Sequence, residues 1–213
     1  MPRSSDSSVA HRLRVWWWSR WARVAILVRA GGLAIRCLER VLRLEPRRNG
    51  ARLQIAALAA ALGDPRRAEA EVADALAIDP ADGEAHVKLG ILLDQREAWH
   101  EAEISFRAGL AHDAGLYRGW YGLGMCLIKQ GRLAEALHPL EQCTRCQPDY
   151  PNAWYQLARV HHDLGHGGEA RRLAQRLEGM APRAASHLRR EFELSAAFGG
   201  VAFPQSDRSP GWR

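Results

Sequence analysis

The sequence has few cysteines and no long apolar run, and these two shortages narrow the class of protein. Four cysteines in 213 residues are too few for a disulfide framework, so we expect reduced thiols. The most apolar stretch, residues 15–28, is interrupted by Arg20 and Arg23. It falls short of the ~20 apolar residues that a membrane-spanning helix needs, and its apolar core is too short for a signal peptide. We therefore expect a cytoplasmic protein.

Recognisable catalytic motifs are also missing. The sequence contains no nucleophile elbow, phosphate-binding P-loop, dinucleotide-binding glycine motif or zinc-protease H-E-x-x-H motif. We therefore predict no enzymatic activity and no cofactor. Cys143 and Cys146 have the spacing of half a zinc site, but no second pair completes it. His162 and His166 are four residues apart, yet Gly165 predicts a turn between them, so no metal site is predicted.

Lysine is scarce, and the positive charge is concentrated at one end of the chain. Only Lys88 and Lys129 are lysines, so arginine supplies nearly all the basic side chains. Residues 1–48 hold eleven arginines against three acidic residues, a net charge of +8, so the other residues carry −2 to give the overall +6. A basic end favours an anionic partner, such as an acidic protein, a nucleic acid or an anionic membrane surface. A solvated arginine-rich face is the alternative.

What the sequence does contain is a repeat of 34 residues. Helix-forming Ala, Leu, Glu and Arg dominate, and alternating runs of β-branched residues are missing, which predicts an almost all-α protein. Prolines recur at separations of 34, 68 and 34 residues, at Pro46, Pro80, Pro148 and Pro182. Alanines recur in the same phase at Ala34, Ala68, Ala102, Ala136 and Ala170. One register therefore fits the chain without an insertion.

The residues within one period are similar to those of a known family. Residues 117–150 carry, in order, Trp120, Leu123, Gly124, Ala136, Leu140 and Pro148. This pattern resembles the tetratricopeptide repeat, in which W-x2-L-G is followed by A-x3-F and then by proline. The resemblance implies an all-α fold, an α-solenoid of about five 34-residue helix–turn–helix repeats with a C-terminal capping helix. Each pair of helices buries its apolar faces only by stacking on its neighbours.

The register divides the chain into four parts. We expect a disordered basic N-terminus over residues 1–14 and a capping helix over residues 185–197, with Ser186 as its N-cap, followed by a disordered tail over residues 198–213. The repeat array between them covers residues 15–184. Its units are residues 15–48, which are degenerate and have a turn loosened by Gly31-Gly32, and residues 49–82, 83–116, 117–150 and 151–184.

In the family that the sequence resembles, the first helix of each pair lines an inner groove that binds peptide segments of partner proteins. The resemblance therefore implies a non-enzymatic protein–protein interaction scaffold or adaptor. The residues expected to face a peptide are Leu53, Val87, Ile91, Arg118, Tyr121, Met125, Lys129, Asn152, Tyr155, Arg159 and His162. Packing of these side chains on neighbouring helices is the alternative. The carboxylate clamp of the chaperone-binding subgroup is missing, because Leu53 and Ala57 stand where its first Lys and Asn would be.

Tryptophan and arginine are interleaved near the N-terminus, and Trp16, Trp17, Arg20 and Arg23 form a second candidate surface. Trp18 and Trp21 have positions in the repeat core, whereas Trp16 and Trp17 do not. Three interpretations stay open: docking on an anionic membrane, docking on a second protein or a second copy of the chain, and a cap over the first repeat.

Two further functions compete with the scaffold. A peripheral membrane adaptor for envelope assembly or secretion would use the Trp/Arg helix as its anchor. A nucleic-acid-binding repeat protein would explain the high pI of about 9.6. Helical repeats that read bases use polar inner positions, whereas the inner row here is largely apolar, so nucleic acid is the less favoured partner.

Overall fold

The computed structural model describes the backbone of residues 4–197 and the side chains of residues 9–193, and within these it is entirely helical. The predicted tail over residues 198–213 lies outside the described residues. The helices are α1 (Ser4–Leu27), α2 (Gly31–Leu44), α3 (Asn49–Ala61), α4 (Pro65–Ile78), α5 (Gly83–Gln95), α6 (Trp99–His112), α7 (Tyr117–Lys129), α8 (Leu133–Cys146), α9 (Pro151–Asp163), α10 (Gly167–Glu178) and α11 (Pro182–Ala197).

Consecutive helices form antiparallel pairs, and each pair is joined by the same tight turn. One residue in each turn has a positive φ, and these residues are 34 apart: Arg29, Gly63, Glu97, Gly131 and Gly165. Glycine adopts this left-handed conformation without a steric penalty, which explains its choice in three of the five turns. Because Arg29 and Glu97 adopt it as well, the turn geometry is set by the packing of the pairs rather than by glycine alone.

The alanines of the repeat lie where the helices approach most closely. Ala34, Ala68, Ala102, Ala136 and Ala170 are all completely buried. A side chain this small lets two helix backbones come together, while larger residues such as Phe106 and Leu140 fill the space beside them. The prediction of an α-solenoid is therefore confirmed, with α11 stacked on α9 and α10 at its C-terminal end. The count of five repeats stays a prediction.

A recurring hydrogen bond ties α3, α5, α7 and α9 to the loop that precedes each of them. Trp120 Nε1 donates to the carbonyl oxygen of Ala114, and Trp154 Nε1 donates to that of Pro148, both at 2.8 Å. His86 and Arg52 make the equivalent contact to the residue six positions earlier, at 2.9 and 3.3 Å. These four large side chains, each with a polar group at its end, therefore hold the preceding loop against the first turns of the helix.

The first helix of each pair lies on the inner side of the stack. Helix α5 contacts both α3 and α7, and α9 contacts α11, whereas successive second helices make no comparable contacts within residues 4–197. Because the first helices approach one another more closely, the stack curves towards them.

The two ends of the array differ from the sequence-based expectation. The predicted disorder of residues 1–14 is wrong for Ser4–Arg14, which form the beginning of α1, since no Gly or Pro interrupts residues 4–27. Gly31 and Gly32 lie in the first turn of α2 rather than in the loop. The last helix begins at Pro182 instead of residue 185, because proline is well suited to the first position of a helix. Ser186 therefore lies inside α11, where its hydroxyl donates to the Pro182 carbonyl.

Candidate interaction groove and tryptophan face

A groove with an apolar floor crosses the inner surface between α3, α5 and α7. Its cavity volume is about 280 Å³, and an adjoining hollow between α5 and α7 has about 290 Å³. The groove is lined mainly by Ala57, Ala60, Ala61, Lys88, Ile91, Gln95 and Arg118. Lys88, Ile91 and Arg118 also line the adjoining hollow, so the two form one continuous depression. We call it the central groove.

Ile91 and Arg118 are the two exposed sequence-predicted residues that the structure brings together in the central groove. Ile91 is 37% exposed on the floor, and Arg118 is exposed at the rim. Lys88 also lines the central groove but was not predicted from the sequence. Its ammonium group lies 3.4 Å from Glu84 on the same helix. Lysine is rare in this chain, and that scarcity was the only signal that could have pointed to it.

Three residues that were expected to face a peptide are instead buried between helices: Leu53, Val87 and Tyr155. The packing around Val87 shows the reason. Its Cγ2 atom lies where Gly109 and Gly119 leave room, only 2.9 Å from the position that a Cβ atom at either glycine would take. Val87 therefore fills the contact of α5 with α6 and α7, although it also lines the adjoining hollow. Burial leaves Leu53 and Tyr155 little surface for a peptide.

The C-terminal part of the expected groove is covered by the chain's own α11. The Tyr155 hydroxyl donates to Glu191 Oε2 at 3.0 Å and lies 3.1 Å from Nδ1 of His187. Two turns further along α9, the ring of His162 stacks on Phe192, with 4.2 Å between the ring centroids. Burial and the Glu191 carboxylate raise the pKa of Tyr155 above its ordinary value, so the phenol stays protonated and can donate.

An aromatic cluster separates the central groove from the part covered by α11. The ring of Tyr150 packs edge-on against both Tyr121 and Tyr117, with centroid separations of 5.2 and 5.4 Å. Asn152 donates to the Tyr150 hydroxyl at 3.5 Å. Tyr121 is half-buried, and this burial is the main reason that its pKa is raised above the ordinary value. Tyr121 and Asn152 were predicted from the sequence, but Tyr150, which lies in the loop before α9, was not.

The remaining predicted residues are partly enclosed. Lys129 Nζ binds both carboxylate oxygens of Asp94 at 2.9 Å and so joins α7 to α5. Met125 packs against the main hydrophobic core, and Arg159 is half-buried on α9. Lys129 is therefore bound within the protein, whereas Arg118, near the ring of Tyr117, is the exposed cation beside the groove.

Helix α1 presents a second surface, on which Trp16, Trp17, Arg20 and Arg23 are all exposed. The first three, with Trp21 and Val24, line a shallow hollow of about 270 Å³, and the Arg20 guanidinium lies 5.4 Å from the centroid of the Trp16 ring. Arg23 lies in a different hollow, between α1, α2 and α3. Trp18 packs on the core as expected, but Trp21 is exposed, so its assignment to the repeat core is wrong.

A metal centre and a membrane span are both missing from the described residues. Within them, no three His, Cys, Asp or Glu side chains are grouped to hold a metal ion, and no helix is long and apolar enough to cross a membrane. Cys143 is buried, but Cys146 is exposed, because its position lies at the end of α8 rather than in the core.

Comparison with known families identifies the repeat. Two family models, each described as a tetratricopeptide repeat, match residues 88–151 and residues 127–190. No curated protein matches the sequence.

Solved structures share the fold at low sequence identity. PilF of Pseudomonas aeruginosa is 16% identical with a TM-score of 0.78, and the alignment covers 90% of this chain and 87% of that one. PilW, described as a widely conserved type IV pilus biogenesis factor, is 22% identical with a TM-score of 0.74, covering 88% and 87%. YrrB, described as a TPR protein with an unusual peptide-binding site, is 17% identical with a TM-score of 0.60, covering 88% and 98%.

Proposed function

We propose, from the tetratricopeptide repeats matched over residues 88–151 and 127–190, that the chain is a non-enzymatic scaffold that binds a peptide segment of a partner protein in the central groove. The observation that carries the proposal is an apolar floor, made by Ile91 and the alanines of α3, beside the exposed cation Arg118.

The lining of the central groove indicates what kind of peptide would bind. Small side chains at Ala57 and Ala61 leave room above α3, so an apolar side chain of the partner can contact Ile91 there. Arg118 and Lys88 then lie beside the peptide backbone, where they favour an acidic residue or a terminal carboxylate. We therefore propose a short segment that combines apolar and acidic residues.

The size of the central groove limits the affinity. A depression of a few hundred cubic ångströms contacts only a few side chains, and the peptide loses conformational freedom when it binds. We expect a dissociation constant on the order of micromolar. Support of a general kind comes from YrrB, a protein of the same fold whose description includes a peptide-binding site.

A peptide array tests the proposal. Purified protein is applied to immobilised peptides in which Leu or Phe is combined with Asp or Glu, with scrambled all-polar peptides alongside. We expect the apolar–acidic peptides to bind the unmodified protein. Ile91→Glu removes the apolar floor, and Arg118→Glu reverses the charge at the rim, so each should abolish binding.

Ile104→Glu is the matched control, because Ile104 is an exposed isoleucine on the second helix α6, away from the central groove. Its binding should equal that of the unmodified protein, with all variants equally helical by circular dichroism. Peptide binding that survives both groove substitutions would show that the assignment to the central groove is wrong.

A further inference from the structure

Helix α1 carries a row of exposed apolar side chains that the peptide-binding function does not use. Most of them are three or four residues apart, which places them on one face of the helix. We call this surface the tryptophan face; it consists of Val9, Leu13, Trp16, Trp17, Trp21, Val24 and Leu27. At a rise of ~1.5 Å per residue, it extends about 27 Å along the helix. Leu27 is 83% exposed at one end, and the side chain of Arg20 lies in the middle.

Part of the tryptophan face, around Trp17 and Val24, corresponds to the side by which the later first helices pack on the preceding pair. Trp17 is equivalent by the 34-residue period to Ala51, Ala85, Gly119 and Ala153, which are all buried. Among the described residues no helix pair packs on this side of α1, and Trp17 is 47% exposed. Val24 shows the same contrast, since it is exposed while its equivalents Leu92, Cys126 and Val160 are buried and Leu58 is half-buried.

Trp17 also shows that another repeat is not the occupant of this face. In the interior repeats the equivalent position has almost no free space, because a Cβ atom at Gly119 would lie 2.9 Å from Val87. A tryptophan is far larger than the Ala or Gly that lets two helices approach there. The tryptophan face therefore cannot stack on a helix pair in the way that α3, α5, α7 and α9 do.

The charge around the tryptophan face disfavours a second copy of the chain. Residues 7–38 contain six arginines and no acidic residue, so two such faces brought together would place like charges in contact. The other end of the array is also mainly basic, because α11 exposes Arg183, Arg189 and Arg190 against Glu193. A second copy of the chain would therefore meet the tryptophan face mostly with like charge.

We propose that the tryptophan face docks on an anionic lipid surface, with α1 lying in the plane of the headgroups. Tryptophan is favoured at the boundary between headgroups and acyl chains, where its ring is apolar and its N–H group can still be hydrated. Arginine side chains keep their charge at the level of the phosphates while their aliphatic stems stay near the apolar region. Arg20 lies in the middle of the face and Arg12 and Arg14 are exposed near its beginning, so charge and apolar area act together.

Co-sedimentation with vesicles tests the lipid surface directly. We expect the full chain to sediment at low salt with vesicles of phosphatidylcholine and phosphatidylglycerol, but not with phosphatidylcholine alone, and to be released by high salt. Trp16→Ala with Trp17→Ala should weaken binding roughly tenfold, through the loss of buried apolar area. The second change introduces the residue that α3, α5 and α9 already carry at that position, so the fold should be kept. Arg20→Glu should weaken binding to the anionic vesicles by a similar factor.

Two control variants distinguish binding through the tryptophan face from non-specific hydrophobic adsorption and from an effect of net charge. Ile104→Ala removes an exposed apolar side chain elsewhere, and Arg190→Glu makes the same charge reversal on α11; neither should change sedimentation. Failure to sediment with the anionic vesicles at low salt would overturn the proposal, as would binding that the tryptophan substitutions leave unchanged. Analytical ultracentrifugation supplies a third outcome: a dimer that the tryptophan substitutions dissociate would assign the face to a second copy instead.

Discussion

The hydroxyl of Tyr155 on α9 donates to the Glu191 carboxylate on α11 across 3.0 Å. This bond and the stacking of His162 on Phe192 attach the last helix to the inner side of the array. The residues at this end that would otherwise face a peptide are therefore engaged with α11, and the open part of the inner surface is the central groove between α3 and α7.

Replacement of Tyr155 by Phe should lower the free energy of unfolding by about 1 kcal/mol at neutral pH, because the hydrogen bond to Glu191 is lost.

The pH dependence of stability gives a second test of the Tyr155 hydrogen bond. The pKa of Tyr155 is raised in the folded protein, so the folded state holds this proton more tightly than the unfolded state does. Its contribution is complete below the unfolded pKa of ~10 and declines as the pH rises above it. Urea unfolding followed by circular dichroism across the alkaline range should show a shallower decline for Tyr155→Phe, and an equal slope in both proteins would contradict this account.

Glu103 makes a buried ionic connection between the two middle pairs. Its carboxylate accepts hydrogen bonds from Arg107 at 2.9 Å, from Arg132 at 2.8 Å and from Gln130 at 3.1 Å. Burial alone would raise the pKa of Glu103, but the hydrogen bonds from Arg107 and Gln130 and the charge of Arg132 outweigh it and hold the pKa below its ordinary value.

Glu103→Gln should therefore destabilise the protein by about 1–2 kcal/mol at neutral pH, since one charged acceptor is lost from the network. Because the pKa of Glu103 is lowered in the folded state, its contribution is present above the unfolded pKa of ~4.3 and is lost as the pH falls. The difference in unfolding free energy between the two proteins should shrink in acid. Glu101→Gln, at an exposed position on the same helix, is the control and should change stability little.

The period of the fold could be predicted from the sequence, but the orientation of each helix could not. Proline and alanine recur because every pair needs the end of its second helix and a close contact between its helices at the same places. The first helices accordingly begin 34 residues apart, at Asn49, Gly83, Tyr117 and Pro151. These proline and alanine positions depend only on contacts within one repeat and with the next repeat. The 34-residue period can therefore be recognised from a single sequence.

The candidate site was harder to predict, because exposure depends on how far each helix is rotated against its neighbours. Val87 and Tyr155 share a register position with Tyr121, yet Val87 is buried against glycines and Tyr155 is covered by α11. Ile91 and Arg118 remain beside open space. The exposure of Trp21 has a similar cause: its register position belongs to the core only where a preceding pair covers it.

The turn residue Glu97 offers a stabilising substitution. Its φ is +60°, a conformation that costs a residue with a side chain ~1–2 kcal/mol. Gly63, Gly131 and Gly165 hold the same place in other pairs. Glu97→Gly should therefore raise the free energy of unfolding by about 0.5–1 kcal/mol, after allowance for the greater entropy of glycine in the unfolded chain. Glu101→Gly, the same change within α6, should instead lower it by about 1 kcal/mol. Chemical denaturation measures both, and effects of the same sign would contradict the assignment of strain to the turn.

The ring of Phe106 is held between Gly90 and Gly122, which lie on the two first helices that border the adjoining hollow of the central groove. A Cβ atom at Gly122 would come within 2.4 Å of the Phe106 ring, and one at Gly90 within 2.8 Å. Gly122→Ala should therefore destabilise the protein by about 1–3 kcal/mol, because a fully buried ring has no room to move aside. Gly168→Ala is the matched control: no atom lies within 4 Å of the added methyl group, so the higher helix propensity of alanine should give a small gain in stability.

If the clash with the Phe106 ring is the cause, Phe106→Leu should lower the stability less in the Gly122→Ala protein than in the unmodified one. A double-mutant cycle measured by thermal unfolding gives that coupling, and strict additivity would show that the two residues do not compete for the same space.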